Sequence, residues 1–394
     1  MSQPDIDSAV RAASGPLPPE ARDDLLSRGW SRRSLARVAG LLAAAPALAA
    51  SVRPAAAQAP EAKVRIDANE CWVGPFDPAV KAAAAAVVAG NRYTGPERDA
   101  FLKAVSSVEN VPATHVMPWP GSSDPLARVI VSFCSPERGL VIADPTFELA
   151  GSVASWLKVK VSKAPLTKDH AHDVRAMLAA DPNAGVYYIC TPNNPTGTLT
   201  GLPDVEWLVA NKPEGSIVLL DEAYIHFSEA PSGAYLAAQG KDVIVLRTFS
   251  KLFGMAGMRM GLTIAKPAFG AKLMRYDGMM ASYALPNPSL VAATTSLLQA
   301  DLIKARRAEM AAARASSFAV LDERGVPYIP SQANMFMVDW GKPAKEVQKA
   351  FAGEGVAIGR SWPIWPNRSR VTVGSMEEMH AFNAAVIKLG LKGA

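Results

Sequence analysis

The sequence has 394 residues, 49% of them apolar and 20% charged, with a formal net charge of +5. That length exceeds one simple hydrophobic core, and that composition excludes a disordered or fibrous protein. Lys and Arg are scattered rather than gathered into a basic stripe, which argues against nucleic acid as a partner, and Cys71, Cys134 and Cys190 form no CxxC pair that would suggest zinc or a disulfide framework.

In chain order, the first feature is an address. Ser31-Arg32-Arg33-Ser34-Leu35 precedes an Ala/Leu-rich run over 38–50, and Ala55, Ala56 and Ala57 supply an A-x-A pattern. Basic, apolar and then small residues is the order of a secretory signal peptide, and the paired arginines resemble the twin-arginine export signal. Residues 1–57 are therefore expected to form a leader cleaved near Ala57, with the mature protein periplasmic. An Ala-rich leader of a cytosolic protein would share much of this composition. The apolar run is well short of the ~20 residues that span hydrocarbon, so no membrane span is expected.

From about residue 63, short apolar runs alternate with helical patterns. Strands are expected at 140–143, 159–162, 186–190, 217–220, 243–246 and 260–265, rich in Val, Ile and Leu without polar alternation. Helices are expected at 124–134, 173–180 and 204–211. This rhythm predicts an α/β fold whose central sheet is mainly parallel and covered by helices on both sides. After Asn287 one long helical region runs to 323, with Ala292, Leu297, Leu298, Ile303 and Met310 on its apolar side. Short strands at 335–340, 356–359 and 370–373 and a closing helix at 377–389 predict a smaller α+β C-terminal domain.

Four motifs carry chemistry. Gly121-Ser122-Ser123-Asp124 opens a helix, where backbone N–H groups and the helix dipole make a phosphate seat, or where a Ser simply caps the helix. Thr-Pro-Asn-Asn-Pro-Thr-Gly at 191–197 follows a buried strand and turns tightly at the strand end where α/β ligands bind. Asp221-Glu222-Ala223-Tyr224 ends the next strand, where a carboxylate can hold a protonated heterocyclic nitrogen or cap a helix. Thr248-Phe249-Ser250-Lys251 comes next. Its lysine becomes a nucleophile toward an aldehyde only if its pKa falls, while Ser250 and Arg259 could hold a phosphate.

The ordered set resembles the fold-type I pyridoxal-phosphate (PLP) aminotransferases, class I/II, most closely the histidinol-phosphate aminotransferase branch, over about 66–389. The resemblance implies pyridoxal 5'-phosphate as cofactor, and an amino acid (or related amine) and a 2-oxo acid as small-molecule substrates. It implies that Lys251 carries the cofactor as a Schiff base and moves the proton, and that Asp221 pairs with the pyridine nitrogen. Tyr224 and Asn194 would bond the phenolic oxygen, and Phe147 would stack on the ring. Ser122, Ser123, Ser250 and Arg259 would form the phosphate cup, with Tyr93 reaching in from a neighbouring subunit of a homodimer. Arg370 would grip the substrate carboxylate, and Asn69 belongs to a segment that closes over it. The implied organisation is an arm and part of the small domain at 58–90, a large cofactor-binding domain at 91–287 and a small domain at 288–394.

One segment departs from that branch. Asn69-Glu70-Cys71-Trp72-Val73 places Val73 where the branch has a tyrosine that helps bind the substrate phosphate, and Trp362-Pro-Ile-Trp365 adds aromatics ahead of Arg370. Both features point to a flatter or more apolar amino donor than histidinol phosphate. Decarboxylation, elimination, racemisation and cyclisation use the same fold and cofactor, so the motifs alone leave these reactions open beside transamination.

Overall fold

Segments apolar on both faces can only be strands covered twice, and they occupy the middle of the molecule. The structure is a computed structural model and describes residues 17–44, 62–276 and 285–393. Two helices come first, α1 (Pro19–Ser27) and α2 (Arg32–Ala44), then β1 (Val64–Ile66), α3 (Asp77–Val87) and α4 (Gly95–Glu109). Next are β2 (Val116–Trp119), α5 (Ser123–Phe133), β3 (Leu140–Asp144), α6 (Leu149–Trp156), β4 (Val161–Pro165), α7 (Val174–Ala180) and β5 (Val186–Cys190). α8 (Leu202–Asn211), β6 (Ile217–Asp221), α9 (Ala234–Ala238), β7 (Val243–Thr248), β8 (Gly261–Ala265) and α10 (Pro267–Met274) complete this part. The C-terminal part holds α11 (Asn287–Leu297), α12 (Ala300–Glu323), β9 (Tyr328–Ile329), β10 (Met335–Asp339), α13 (Ala344–Gly353), β11 (Val356–Ile358), β12 (Arg368–Thr372) and α14 (Met376–Lys388).

Seven strands form one sheet in the order β2-β8-β7-β6-β5-β3-β4. The strands β3 to β7 pair in parallel, while β8 runs antiparallel to both β7 and β2. Chain order reverses at β3, which has β4 on one side and β5 on the other. At such a switch the loops leaving the two strand ends diverge and open a crevice. Those loops carry Phe147 after β3 and Asn194 after β5.

A three-stranded antiparallel sheet, β12-β10-β9, lies in the C-terminal part, and β1 pairs in parallel with β11. The second pairing ties the segment leading to Asn69 to the strand that leads toward Arg370. The long helical region after Asn287 is two helices, broken at Leu298–Gln299, where Gln299 takes φ −93° and ψ 64°. The break resets the helical phase, so Leu298, expected on the apolar side, is 56% exposed. Cys134 and Cys190 are buried, as expected of small hydrophobes.

The twin-arginine pair opens α2. Arg32 and Arg33 are exposed, whereas Val38, Leu41 and Leu42 are buried on the face that meets α5. The A-x-A pattern at 55–57 lies outside the described residues.

Candidate active site

The parallel strands β5, β6 and β7 end side by side, and each end delivers a polar group. Register pairs Cys190 on β5 with Asp221 on β6, and Asp221 with Leu246 on β7. Asp221 is buried. One of its oxygens accepts from the Tyr188 hydroxyl at 2.9 Å and the other from the Ala223 backbone N–H at 3.1 Å. Burial pushes its carboxyl up to about 6, against the lowering effects of Tyr188, the Ala223 N–H and the Lys251 charge. A protonated ring nitrogen brought against it would draw that value down again. The neighbouring Glu222 points elsewhere: it pairs with Arg247 at 2.8 Å, and Arg247 also holds Glu109.

Lys251 follows β7 and is half-buried. Its Nζ donates to the Asn69 carbonyl at 2.9 Å and lies 5.4 Å from the centre of the Tyr224 ring. Burial is the main cause lowering its pKa to about 8, and the Arg370 charge lowers it further, against the raising effects of Glu70 and Asp221. A lysine so placed exposes its free amine far more than one in water at the same pH, the condition for attack on an aldehyde.

Tyr224 receives two amide N–H groups, from Asn69 and from Asn194, each at 3.4 Å. Burial raises its pKa, so the hydroxyl keeps its proton. Arg370 crosses from β12 and donates to the Asn194 side-chain oxygen at 3.1 Å and to the Asp67 carbonyl at 2.9 Å. Its guanidinium lies 5.7 Å from the Trp362 ring centre, its Nε has no partner, and burial lowers its pKa to about 10. Asn69 is held in the left-handed region, φ 53°, a conformation Asn tolerates, by bonds of its N–H and side-chain oxygen with the Thr372 hydroxyl.

The phosphate seat depends on glycines. A Cβ on Gly121 would lie 2.4 Å from Arg259 Nη2, and one on Gly261 would lie 2.6 Å from the Gly121 carbonyl carbon. Without side chains there, the loop entering α5 lies against both Arg259 and the first residue of β8. Ser122 and Ser123 stand at the start of α5, and Ser250 accepts from Arg259 Nη1 at 3.4 Å. Ser122 makes no capping bond through its side chain, so the plain helix-cap alternative finds no support.

Among the described residues, none of Lys251, Arg259 and Arg370 forms an ion pair with a carboxylate. Three cations without counter-ions, Arg370 buried and Lys251 and Arg259 half-buried, fit a ligand with a phosphate at one end and a carbonyl at Lys251, plus a carboxylate at Arg370. The residues present therefore fit pyridoxal phosphate and an amino acid.

Comparison with known proteins decides the family. Residues 61–386 match the model for aminotransferase class I and II. The chain belongs to the class I and II aminotransferases. This aminotransferase is 31% identical to a histidinol-phosphate aminotransferase of Rubrobacter xylanophilus, covering 84% of this chain and 93% of that one. It is 30% identical to an aromatic amino acid aminotransferase of Rhodococcus erythropolis, covering 82% and 88%. The solved histidinol-phosphate aminotransferase of Sinorhizobium meliloti in complex with pyridoxal-5'-phosphate superposes with a TM-score of 0.75, at 22% identity, over 84% of this chain and 91% of that one, which shows a shared fold. The chain is a PLP-dependent enzyme that transfers amino groups, as its motifs imply.

Of the residues singled out in the sequence, the structure brings Lys251, Asp221, Tyr224, Asn194, Asn69 and Arg370 into one bonded or charge-coupled cluster, with Ser250 and Arg259 adjoining Ser122 and Ser123. Phe147 lies half-buried on the loop after β3. Tyr93 does not join the cluster within one chain: it is 100% exposed on the turn between α3 and α4. Sequence reading missed Tyr188, whose signal was a tyrosine one strand period before Cys190, hence on the same face. It also missed Thr372, which bonds Asn69, and Asn334, whose side-chain N–H donates to the Asn69 carbonyl at 3.4 Å; both come from elements far from Asn69 in sequence.

The charges around Lys251 set the sign of a test. In protein freed of cofactor, its acylation rate should rise with pH through a midpoint near 8. Arg370→Ala should raise that midpoint and Asp221→Asn should lower it; an unmoved midpoint, or one near that of a free lysine, would show that the charges do not act on Nζ.

Proposed function

We propose that this aminotransferase takes an aromatic or large apolar L-amino acid as donor and a 2-oxo acid as acceptor, as a periplasmic homodimer. The observation that carries the donor class is the state of the two arginines at Trp362. Arg370 is without a counter-ion and suits the α-carboxylate. Arg360, 4.5 Å from the same ring, is already paired with Glu148. A donor with a second anionic group would have to break that pair, whereas an apolar side chain leaves it intact. Val73, exposed on the segment that follows Asn69, offers no hydroxyl for a phosphate. The aromatic aminotransferase named among the relatives supports the same reading.

The roles follow from position. Bound pyridoxal phosphate supplies an electron sink for the pair released when the Cα–H bond breaks. Arg370 fixes the carboxylate and so presents the α-hydrogen toward Lys251. The Lys251 Nζ takes that proton and returns it. Asp221 would keep a proton on the cofactor's ring nitrogen, and Asn194 and Tyr224 would hold its phenolic oxygen. Ser122, Ser123, Ser250 and Arg259 would hold the phosphate, and Phe147 would cover the ring.

The dimer reading rests on what one chain leaves uncovered. Val80, Val87 and Val88 along α3 are exposed, and Tyr93 follows them, fully exposed. Apolar surface of this kind suits a subunit interface, with Tyr93 reaching the partner's phosphate. The export reading rests on Arg32-Arg33 with the apolar run behind it, and we propose cleavage near Ala57.

Three measurements test these readings. In single-turnover assays, phenylalanine or tyrosine should convert the bound cofactor to its amine form with kcat/KM at least about tenfold above histidinol phosphate; the reverse ranking overturns the donor class. Sedimentation should give a dimer that Val87→Glu with Val88→Glu converts to an inactive monomer, and an active monomeric wild type would remove Tyr93 from the site. After cell fractionation the shortened enzyme should lie in the periplasm, and Arg32→Lys with Arg33→Lys should keep it in the cytosol at full length; unaltered export of that variant would refute the twin-arginine route.

A further inference from the structure

Residues 17–44 precede the part of the chain that matches the aminotransferase family, yet they are seated on it by specific contacts. Ala21, Leu25, Trp30 and Val38 are buried. Arg28 pins the segment. Its Nη1 donates to the Cys134 carbonyl and its Nη2 to the Val131 carbonyl, both at 2.9 Å. These carbonyls lie at the C-terminal end of α5, where helix carbonyls lack partners within the helix and the dipole favours a cation. Arg28 also donates to the Tyr276 hydroxyl at 2.6 Å and pairs with Asp24 at 2.9 Å. Asp24 in turn accepts from Arg275 at 2.7 Å and from the Tyr276 hydroxyl.

The same contacts lead to the other end of α5. The Tyr276 carbonyl accepts from Arg128 Nη1, and Arg128 Nε donates to Asp124 at 2.8 Å. Asp124 is in the first turn of α5, next to Ser122 and Ser123. One helix thus presents its N-terminus to the phosphate seat and its C-terminus to Arg28, with Tyr276 joined to both ends.

We propose that α5 and the end of α10 form a docking surface for residues 17–44, and that docking is thermodynamically linked to filling of the phosphate seat. A docked leader orders α5 and so strengthens binding of the cofactor phosphate. A bound phosphate orders the same helix and so holds the leader down. Linkage requires the two factors to be equal. The inference rests on the phosphate seat assigned above, and it holds whether or not the leader directs export.

The test uses the full chain stripped of cofactor, with pyridoxamine phosphate as the probe, because it fills the seat without a covalent bond to Lys251. Two quantities are measured: its affinity, and the rate of trypsin cleavage at the exposed Arg32-Arg33 pair with and without saturating probe. In wild type, the probe should slow cleavage about fivefold; Arg28→Ala should weaken probe binding by about the same factor and abolish the slowing. Tyr276→Phe, which keeps the ring and removes only the hydroxyl, should shift both in the same direction by less. Equal affinities for wild type and Arg28→Ala, or cleavage indifferent to the probe, overturn the linkage. Arg259→Ala separates the two readings: if it binds the probe as tightly as wild type, the seat itself is misassigned and the linkage falls with it.

Discussion

Positive charge without a counter-ion, partly or wholly withheld from water, is the constraint on which this site rests. Lys251, Arg259 and Arg370 come from three different segments, and none has a carboxylate partner among the described residues. Removing such charges from water is costly, and folding tolerates it only where backbone carbonyls, amide oxygens and hydroxyls stand in for solvent. Here Asn69 and Asp67 give carbonyls, Asn194 a side-chain oxygen and Ser250 a hydroxyl. The stand-ins are neutral, so the site retains an unmet preference for anions. A phosphate and a carboxylate satisfy it, and the lysine between them is depressed toward reactivity by the same field.

The sheet makes this gathering possible. Parallel strands end at one edge, so consecutive strand-end residues project into one region without any loop having to travel. Asp221 and Lys251 arrive this way, 30 residues apart in sequence and one strand apart in space. Asn69 and Arg370 reach the same point from the opposite side, because β1 pairs with β11 and Thr372 bonds Asn69. The catalytic groups therefore depend on the small sheets being held against the large one, and Asn69 bonds Tyr224 and Arg370 bonds Asn194 across the gap between them.

Departures from the sequence-based expectations have identifiable causes. The region after Asn287 reads as one continuous helix because no Gly or Pro interrupts 289–323, yet a break at Leu298–Gln299 divides it and turns Leu298 outward. β8 has the apolar texture of its neighbours but runs against them. Burial on both faces dictates composition and is silent on direction. The sequence reading of the N-terminal segment as an address rests on Arg32-Arg33 and the alanines, which are local signals. Its seating on α5 was not, since Arg28 bonds carbonyls about a hundred residues away.

The sequence by itself determined the α/β rhythm, the order of the chemical motifs and hence the cofactor chemistry, because turn residues, buried strands and a lysine after a strand end are local signals. It could not show that the Arg370 charge acts on Lys251, that Tyr188 supports Asp221, or that Arg360 is already neutralised by Glu148. Those relations join positions dozens to hundreds of residues apart, and burial and field strength are properties of the assembled packing. Only the tertiary structure decided them, because a pKa and a free counter-charge are set by what surrounds a group rather than by what precedes it in the chain.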